Sequence, residues 1–155
     1  MLTDLADWYK KRQYPIRKFI FKTKYDNEYV YIVKNPFSNL IKIGKTNDFI
    51  GRMKALGSVI SEKPILLFAI YLQGNMDEYS KITSNVDWEP ELDEPSWLLE
   101  GDLHIYFKNK RVVGEWFKLN KSDIDEINYL FEMVVVGADI LYGEDYNNYF
   151  NEIIN

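Results

Sequence analysis

Residues 29–56 read YVYIVKNPFSNLIKIGKTNDFIGRMKAL. Two short runs of alternating apolar residues, Tyr29–Val33 and Leu40–Gly44, flank a link that contains Asn35-Pro36 and Ser38-Asn39. Alternation at period two around a turn-forming link predicts a β-hairpin with a longer loop. Asn47-Asp48 follows directly as a helix N-cap pair, and a helical period then carries to Gly57. Phe49, Met53 and Leu56 fall at i, i+4 and i+7, which gives that helix one apolar side. Arg52 lies beside Met53, at the border of the stripe and in or just past the first turn. Strand, turn, strand, cap and helix thus form one compact unit, with Tyr31 and Lys42 on neighbouring strands.

Outward from this unit the chain alternates in the same way. Ile65–Leu72 (ILLFAIYL) is almost wholly apolar and is opened by Pro64, so it predicts a central strand covered on both faces. Ser96 caps a helix through about Lys108, in which Trp97, Glu100, His104 and Phe107 recur at helical spacing and Glu100 and His104 are i, i+4 neighbours. Gly114-Glu115-Trp116-Phe117 follows a basic turn as a short strand, with Trp116 and Phe117 read as core. Ser122 caps a last helix over Asp123–Val136, whose apolar face is Ile124, Ile127, Leu130, Phe131 and Val134, with Gly137 ending it. Before the hairpin, Thr3 caps a helix over Asp4–Arg12 that Pro15 stops, and Lys-rich Ile16–Lys24 reads as an edge strand. A short helix is expected around Tyr146–Ile154. The fold class is α/β (α+β): a small, mostly antiparallel central sheet flanked by helices.

The 155 residues suffice for one domain with a sizeable core, and 46% of them are hydrophobic. Cysteine is absent and histidine occurs once, which excludes disulfides, thiolate metal sites and multi-histidine zinc sites. No stretch approaches the about 18 apolar residues of a membrane span, and no signal peptide is evident, so a soluble intracellular protein, cytoplasmic in its own or a host cell, is expected. The net charge of −5 conceals a division. Residues 1–70 hold 13 Lys+Arg against 6 Asp+Glu, and residues 71–155 hold 6 against 18. The basic half suits contact with phosphates, whereas the acidic half opposes it.

On these residues the chain resembles the GIY-YIG nuclease superfamily. Val30-Tyr31 stands where that family has Ile-Tyr, Ile43-Gly44 where it has Ile-Gly, and Arg52 where it has its helical arginine. Lys42-Ile43-Gly44, Glu100 with Leu103-His104, and Gly114-Glu115-Trp116-Phe117 are similar to one branch of it, the meiotically-up-regulated-gene branch found also in phages and large DNA viruses. The first-motif glycine is replaced by Tyr29. The resemblance covers residues 29–119 as a core, interrupted by an acidic insertion at 73–95 that the branch lacks. Residues 1–28 and 120–155 are then an N-terminal and a helical C-terminal extension.

The resemblance implies a metal-dependent endonuclease acting on nucleic acid, with DNA expected. Glu100 would hold Mg²⁺ or Mn²⁺, Tyr31 would be the general base, and Arg52 would stabilise charge on the phosphate. Lys42 and Lys45 would contact phosphate, and His104 would assist proton transfer or orient water. Each residue taken alone has a plainer reading: a packed strand tyrosine, a surface arginine, a helix-stabilising Glu–His pair. Two rival functions stay open. One is a non-catalytic binding module on the same fold that engages a protein partner through residues 73–95 and the C-terminal half. The other is an acidic DNA mimic.

Overall fold

A computed structural model describes residues 1–11, 28–60, 63–72, 95–134 and 139–144. The expected edge strand Ile16–Lys24, the insertion up to residue 94 and the short helix near Tyr146 lie outside the described residues. Four helices and six strands are described: α1 (Asp4–Lys10), β1 (Glu28–Lys34), β2 (Ile41–Thr46), α2 (Phe49–Ile60), β3 (Ile65–Leu72), α3 (Pro95–Tyr106), β4 (Arg111–Val113), β5 (Trp116–Phe117), α4 (Lys121–Met133) and β6 (Asp139–Tyr142). The strands form one sheet in the order β4-β5-β2-β1-β3-β6, with every neighbouring pair antiparallel. This is the expected α+β class.

The β1–β2 hairpin forms because its link closes on itself. Asn35 N–H donates to Leu40 O at 2.9 Å, and Asn35 Oδ1 accepts from Phe37 N–H at 2.9 Å. Asn39 takes φ 61°, the left-handed region that asparagine tolerates better than most residues. The resulting register sets Tyr31 opposite Gly44 and Val33 opposite Lys42.

Pleat alternation then divides the sheet. One face presents Val30, Ile32, Ile41, Ile43, Phe68, Ile70 and Phe117, packed with α1 (Leu5, Tyr9), α3 (Leu99, Leu103) and α4 (Ile127, Leu130, Phe131). The other presents Tyr31, Val33, Leu66 and Ala69 to Phe49, Met53 and Leu56 of α2. β3 contributes to both clusters, as its continuous apolar run predicted. Fully burying a residue of this size stabilises by about 1.5–3 kcal/mol, so the three-helix side is the main reservoir of stability.

Glu126 joins the helices of that side. Buried at 7% exposure, it accepts from Leu5 N–H at 3.1 Å and from the Tyr106 hydroxyl at 3.3 Å. Its carboxylate thus satisfies a first-turn N–H of α1, a position that favours negative charge.

Several local expectations need correction. The last helix is capped by Asn120, not Ser122: Asn120 Oδ1 accepts from Asp123 N–H at 2.8 Å, and Asp123 Oδ2 accepts from Asn120 N–H at 3.0 Å. This reciprocal box satisfies two backbone donors at once. That helix ends at Met133, short of Val136. α1 ends at Lys10, and Thr3 is its N-cap by position but makes no side-chain bond there. α2 continues past Gly57 to Ile60. α3 stops at Tyr106, and a 3₁₀ turn over Lys108–Lys110 leads into β4, a strand the sequence did not announce. The C-terminal extension is more than helical, since β6 pairs with β3 and is the outermost described strand on that side.

Candidate functional site

The site begins at the contact between Tyr31 and Gly44. Their Cα atoms are cross-strand partners on the α2 face, and the far end of the phenol lies over the glycine. A methyl group at Gly44 would overlap the Tyr31 Cζ and hydroxyl oxygen, so this strand position requires a residue with no side chain. Phe49 holds the ring edge-on from α2, with centroids 6.4 Å apart.

Arg52 is placed by the start of α2. Asp48 Oδ1 accepts from Gly51 N–H at 3.1 Å, and Thr46 Oγ1 accepts from Asp48 N–H at 3.0 Å. The N-cap therefore locks the helix to the end of β2. Arg52 follows one turn later, exposed, with a charge that acts on the Tyr31 phenol. Burial pushes that phenol well above the ordinary tyrosine range; Arg52 pulls it down, while Glu115 and Glu100 push it further up.

Lys42 is 15% exposed and already partnered. Its Nζ lies 3.3 Å from Glu115 Oε2 and 5.5 Å from the centre of the Trp116 ring, its partner across the β2–β5 ladder. With Arg52, Trp116, Leu56, Val59 and Val113 it lines an open groove of about 480 Å³ between α2 and the β4–β5 hairpin. Tyr31, at 1% exposure, does not line that groove.

Glu100 and His104 arrive from the other side. α3 packs on the three-helix face through Leu99 and Leu103, and His104 Nε2 meets the Ile43 carbonyl at 2.8 Å. A carbonyl can only accept, so Nε2 carries the proton. The N–H of the same Ile43 donates to Glu115 O at 3.1 Å. β5 thus begins beside Ile43, and α3 takes over the edge of β2 at the residue before Gly44. Phe117 backs the imidazole with an edge contact at 5.1 Å. Glu100, one turn before His104 on the same side of α3, is half-buried, and its charge reaches Tyr31. His104 therefore ties α3, the helix that carries Glu100, to the β2 edge.

The structure brings Tyr31, Lys42 and Arg52 together on the α2 face and sets Glu100 and His104 at the β2 edge beside them. Lys45 stands apart from Lys42: three residues along a strand reverses the face, and its cross-strand partner Val30 belongs to the three-helix cluster. Sequence reasoning missed Glu115 as a member of the site and assigned Trp116 to the core alone. The ladder pairing that puts both against Lys42 is non-local, although the Gly-Glu-Trp-Phe motif was the available signal.

A divalent cation, which the resemblance implies, can be tested against these donors. Among the described residues no group of three or more His, Asp or Glu side chains is assembled. A hydrated Mg²⁺ needs only one or two carboxylates, with water filling the remaining positions. Glu100 supplies one such carboxylate from α3, while Glu115 is engaged by Lys42 at 3.3 Å, so a largely hydrated ion held through Glu100 is what these donors fit.

The chain belongs to the T5orf172 domain family, whose model matches residues 28–132, a family related to GIY-YIG- and HNH-like nuclease domains. That membership fits a nuclease-like or DNA-binding role. No curated protein and no solved structure matches the chain. Helix α1 and strand β6 lie outside the matched residues. Among the described residues no helix is long and apolar enough to cross a membrane.

Proposed function

We propose that the protein is a metal-dependent endonuclease that hydrolyses phosphodiester bonds of nucleic acid, with DNA as substrate. The family match over residues 28–132 carries this reading, together with the Tyr31 phenol packed on Gly44 and Arg52 lining the adjacent groove. Phosphodiester hydrolysis needs a positioned water, a positive group at the phosphate and compensation of the charge that develops on it. Arg52 is exposed beside the groove and supplies the positive group; its forked guanidinium suits two phosphoryl oxygens. Glu100, held by the His104 anchor, is the carboxylate that would hold Mg²⁺ or Mn²⁺. When bound, such an ion compensates phosphate charge and makes water more acidic. Tyr31 orients the attacking water through its hydroxyl, and Arg52 opposes the upward push of burial on its proton.

The reading is tested with supercoiled plasmid in Mg²⁺ or Mn²⁺. Wild-type protein should nick or linearise it, and Glu100→Ala should not. Equal activity of the two proteins, or none in the wild type, counts against it.

One observation favours a second reading, a non-catalytic nucleic-acid-binding module. Tyr31 is buried and its phenol is pushed away from the range of a base. Under this reading the wild-type protein binds DNA with salt-sensitive affinity and leaves the plasmid intact with either metal. Capture of a protein partner through residues 73–95 belongs to this alternative.

A further inference from the structure

The acidic half of the chain is not uniformly acidic. Five of the six Lys+Arg residues between 71 and 155 fall within 108–121, namely Lys108, Lys110, Arg111, Lys118 and Lys121. The same span holds one acid, Glu115, so it carries a formal charge of 5 − 1 = +4. The fold gathers these residues around the β4–β5 hairpin, and all five are exposed.

The hairpin is a built element. Gly114 turns it with φ 54°, Arg111 Nε donates to Gly114 O at 2.6 Å, and Lys118 N–H donates to Lys110 O at 2.8 Å. On one side, Val113 and Trp116 form a wall of the groove that holds Lys42 and Arg52. On the other, Lys110, Arg111, Val112 and Lys118 line a second open groove of about 450 Å³. Lys110 is engaged there by Asp123 at 2.7 Å, and Lys121 lies 3.4 Å from Asp125. Lys108 and Lys118 are exposed, as is Arg111, whose Nε is committed to the turn. One hairpin therefore separates a groove with two cations from a groove with further cations. A polyanion long enough to cross it meets both.

We infer that the β4–β5 hairpin carries a second phosphate-binding subsite, at which Lys108, Arg111 and Lys118 hold the sugar-phosphate backbone of a nucleic-acid strand continuing from the Lys42–Arg52 groove. The inference rests on the nucleic-acid reading above but not on cleavage. It extends phosphate contact beyond the basic first half of the chain. Exposed Val112 and Val113, 56% and 62% accessible, stand at the crossing, where they meet sugar and base edges and not phosphate.

The test is equilibrium binding of a fluorescently labelled DNA duplex in EDTA, from about 50 to 300 mM salt. Each phosphate that a variant no longer neutralises lowers the slope of log affinity against log salt by about 0.9. Replacing Lys108, Arg111 and Lys118 with Gln should lower it by up to about 2.7 and weaken binding at low salt at least about tenfold. The Lys108→Gln/Lys118→Gln double variant leaves the Arg111 bond in the turn intact; it should lower the slope by up to about 1.8. Melting temperatures near wild type establish that both variants fold. Unchanged slopes in both variants overturn the inference, as does a wild-type protein that binds no duplex. A wild-type protein that binds, with variants that show these reduced slopes, yet never nicks plasmid leaves the subsite standing and removes the nuclease reading.

Discussion

The two faces of the sheet are built differently. Three helices cover one face, with Phe131 set edge-on to Phe68 at 5.6 Å and Leu103 and Leu130 buried between them. Among the described residues a single helix covers the other, leaving an open groove along its flank, and there the close fit is between a phenol and a glycine. The first face stores stability, and the second presents chemistry. The contrast explains how a small domain tolerates a buried tyrosine hydroxyl and an exposed arginine at its centre: the opposite face holds the fold regardless. It also explains the placement of α3. That helix belongs to the stability face by its apolar stripe, yet His104 and Glu100 turn it towards the edge shared with the other face.

The contrast can be broken by substitutions of graded size. The largest loss should follow Phe131→Ala, which removes a fully buried ring from the three-helix face; about 3–5 kcal/mol of stability is expected by chemical denaturation. Gly44→Ala comes next. Its methyl must displace the Tyr31 ring, at a cost of about 1–3 kcal/mol, and DNA cleavage should fall further than this destabilisation explains. A loss of activity only in proportion to unfolding would place the glycine on the stability side.

Glu126→Gln should cost about 1 kcal/mol, because two hydrogen bonds lose their charge assistance while an amide oxygen can still accept. The same variant sharpens the pH behaviour. Burial and then Glu126 push the Tyr106 hydroxyl up to about 12. A tyrosine raised in the folded state adds stability that is fully present below its unfolded value, about 10, and that is lost as pH rises through the folded value. Alkaline denaturation should therefore steepen between about pH 10 and 12, and in Glu126→Gln Tyr106 should titrate at lower pH by its tyrosinate absorbance. The smallest effect belongs to Lys42→Met. Its pair with half-exposed Glu115 contributes at most about 1 kcal/mol, so a melt should barely move while DNA affinity drops.

The parts that were legible in the sequence share a cause. The hairpin, α2 and β3 carry strong local periodicity, and their buried residues, Phe49, Met53 and Leu56 among them, are those the period selected. β4 and β6 are short edge strands with largely accessible residues, and three or four residues at an edge carry no periodic signal. Asn120 and Ser122 both offer a capping oxygen. The deciding residue was Asp123, three positions after Asn120, whose carboxylate completes the box. Tyr31, Lys42, Arg52 and Glu100 were legible as a motif in order, but their distribution around a sheet edge was not, because it depends on which face α3 covers. The charge division by halves was legible and too coarse: the fold collects the few cations of the acidic half beside the groove of the basic half.

The central claim is that the phenol over Gly44 takes part in cutting phosphodiesters. The most direct measurement is the plasmid-nicking rate of Tyr31→Phe, which removes one oxygen and keeps the ring packed on Phe49. The account predicts a fall of about 10²-fold or more, the scale of a missing proton-transfer group, with the melting temperature and DNA affinity held near wild type. A Tyr31→Phe protein that nicks plasmid within about twofold of wild type, far inside that scale, would contradict it.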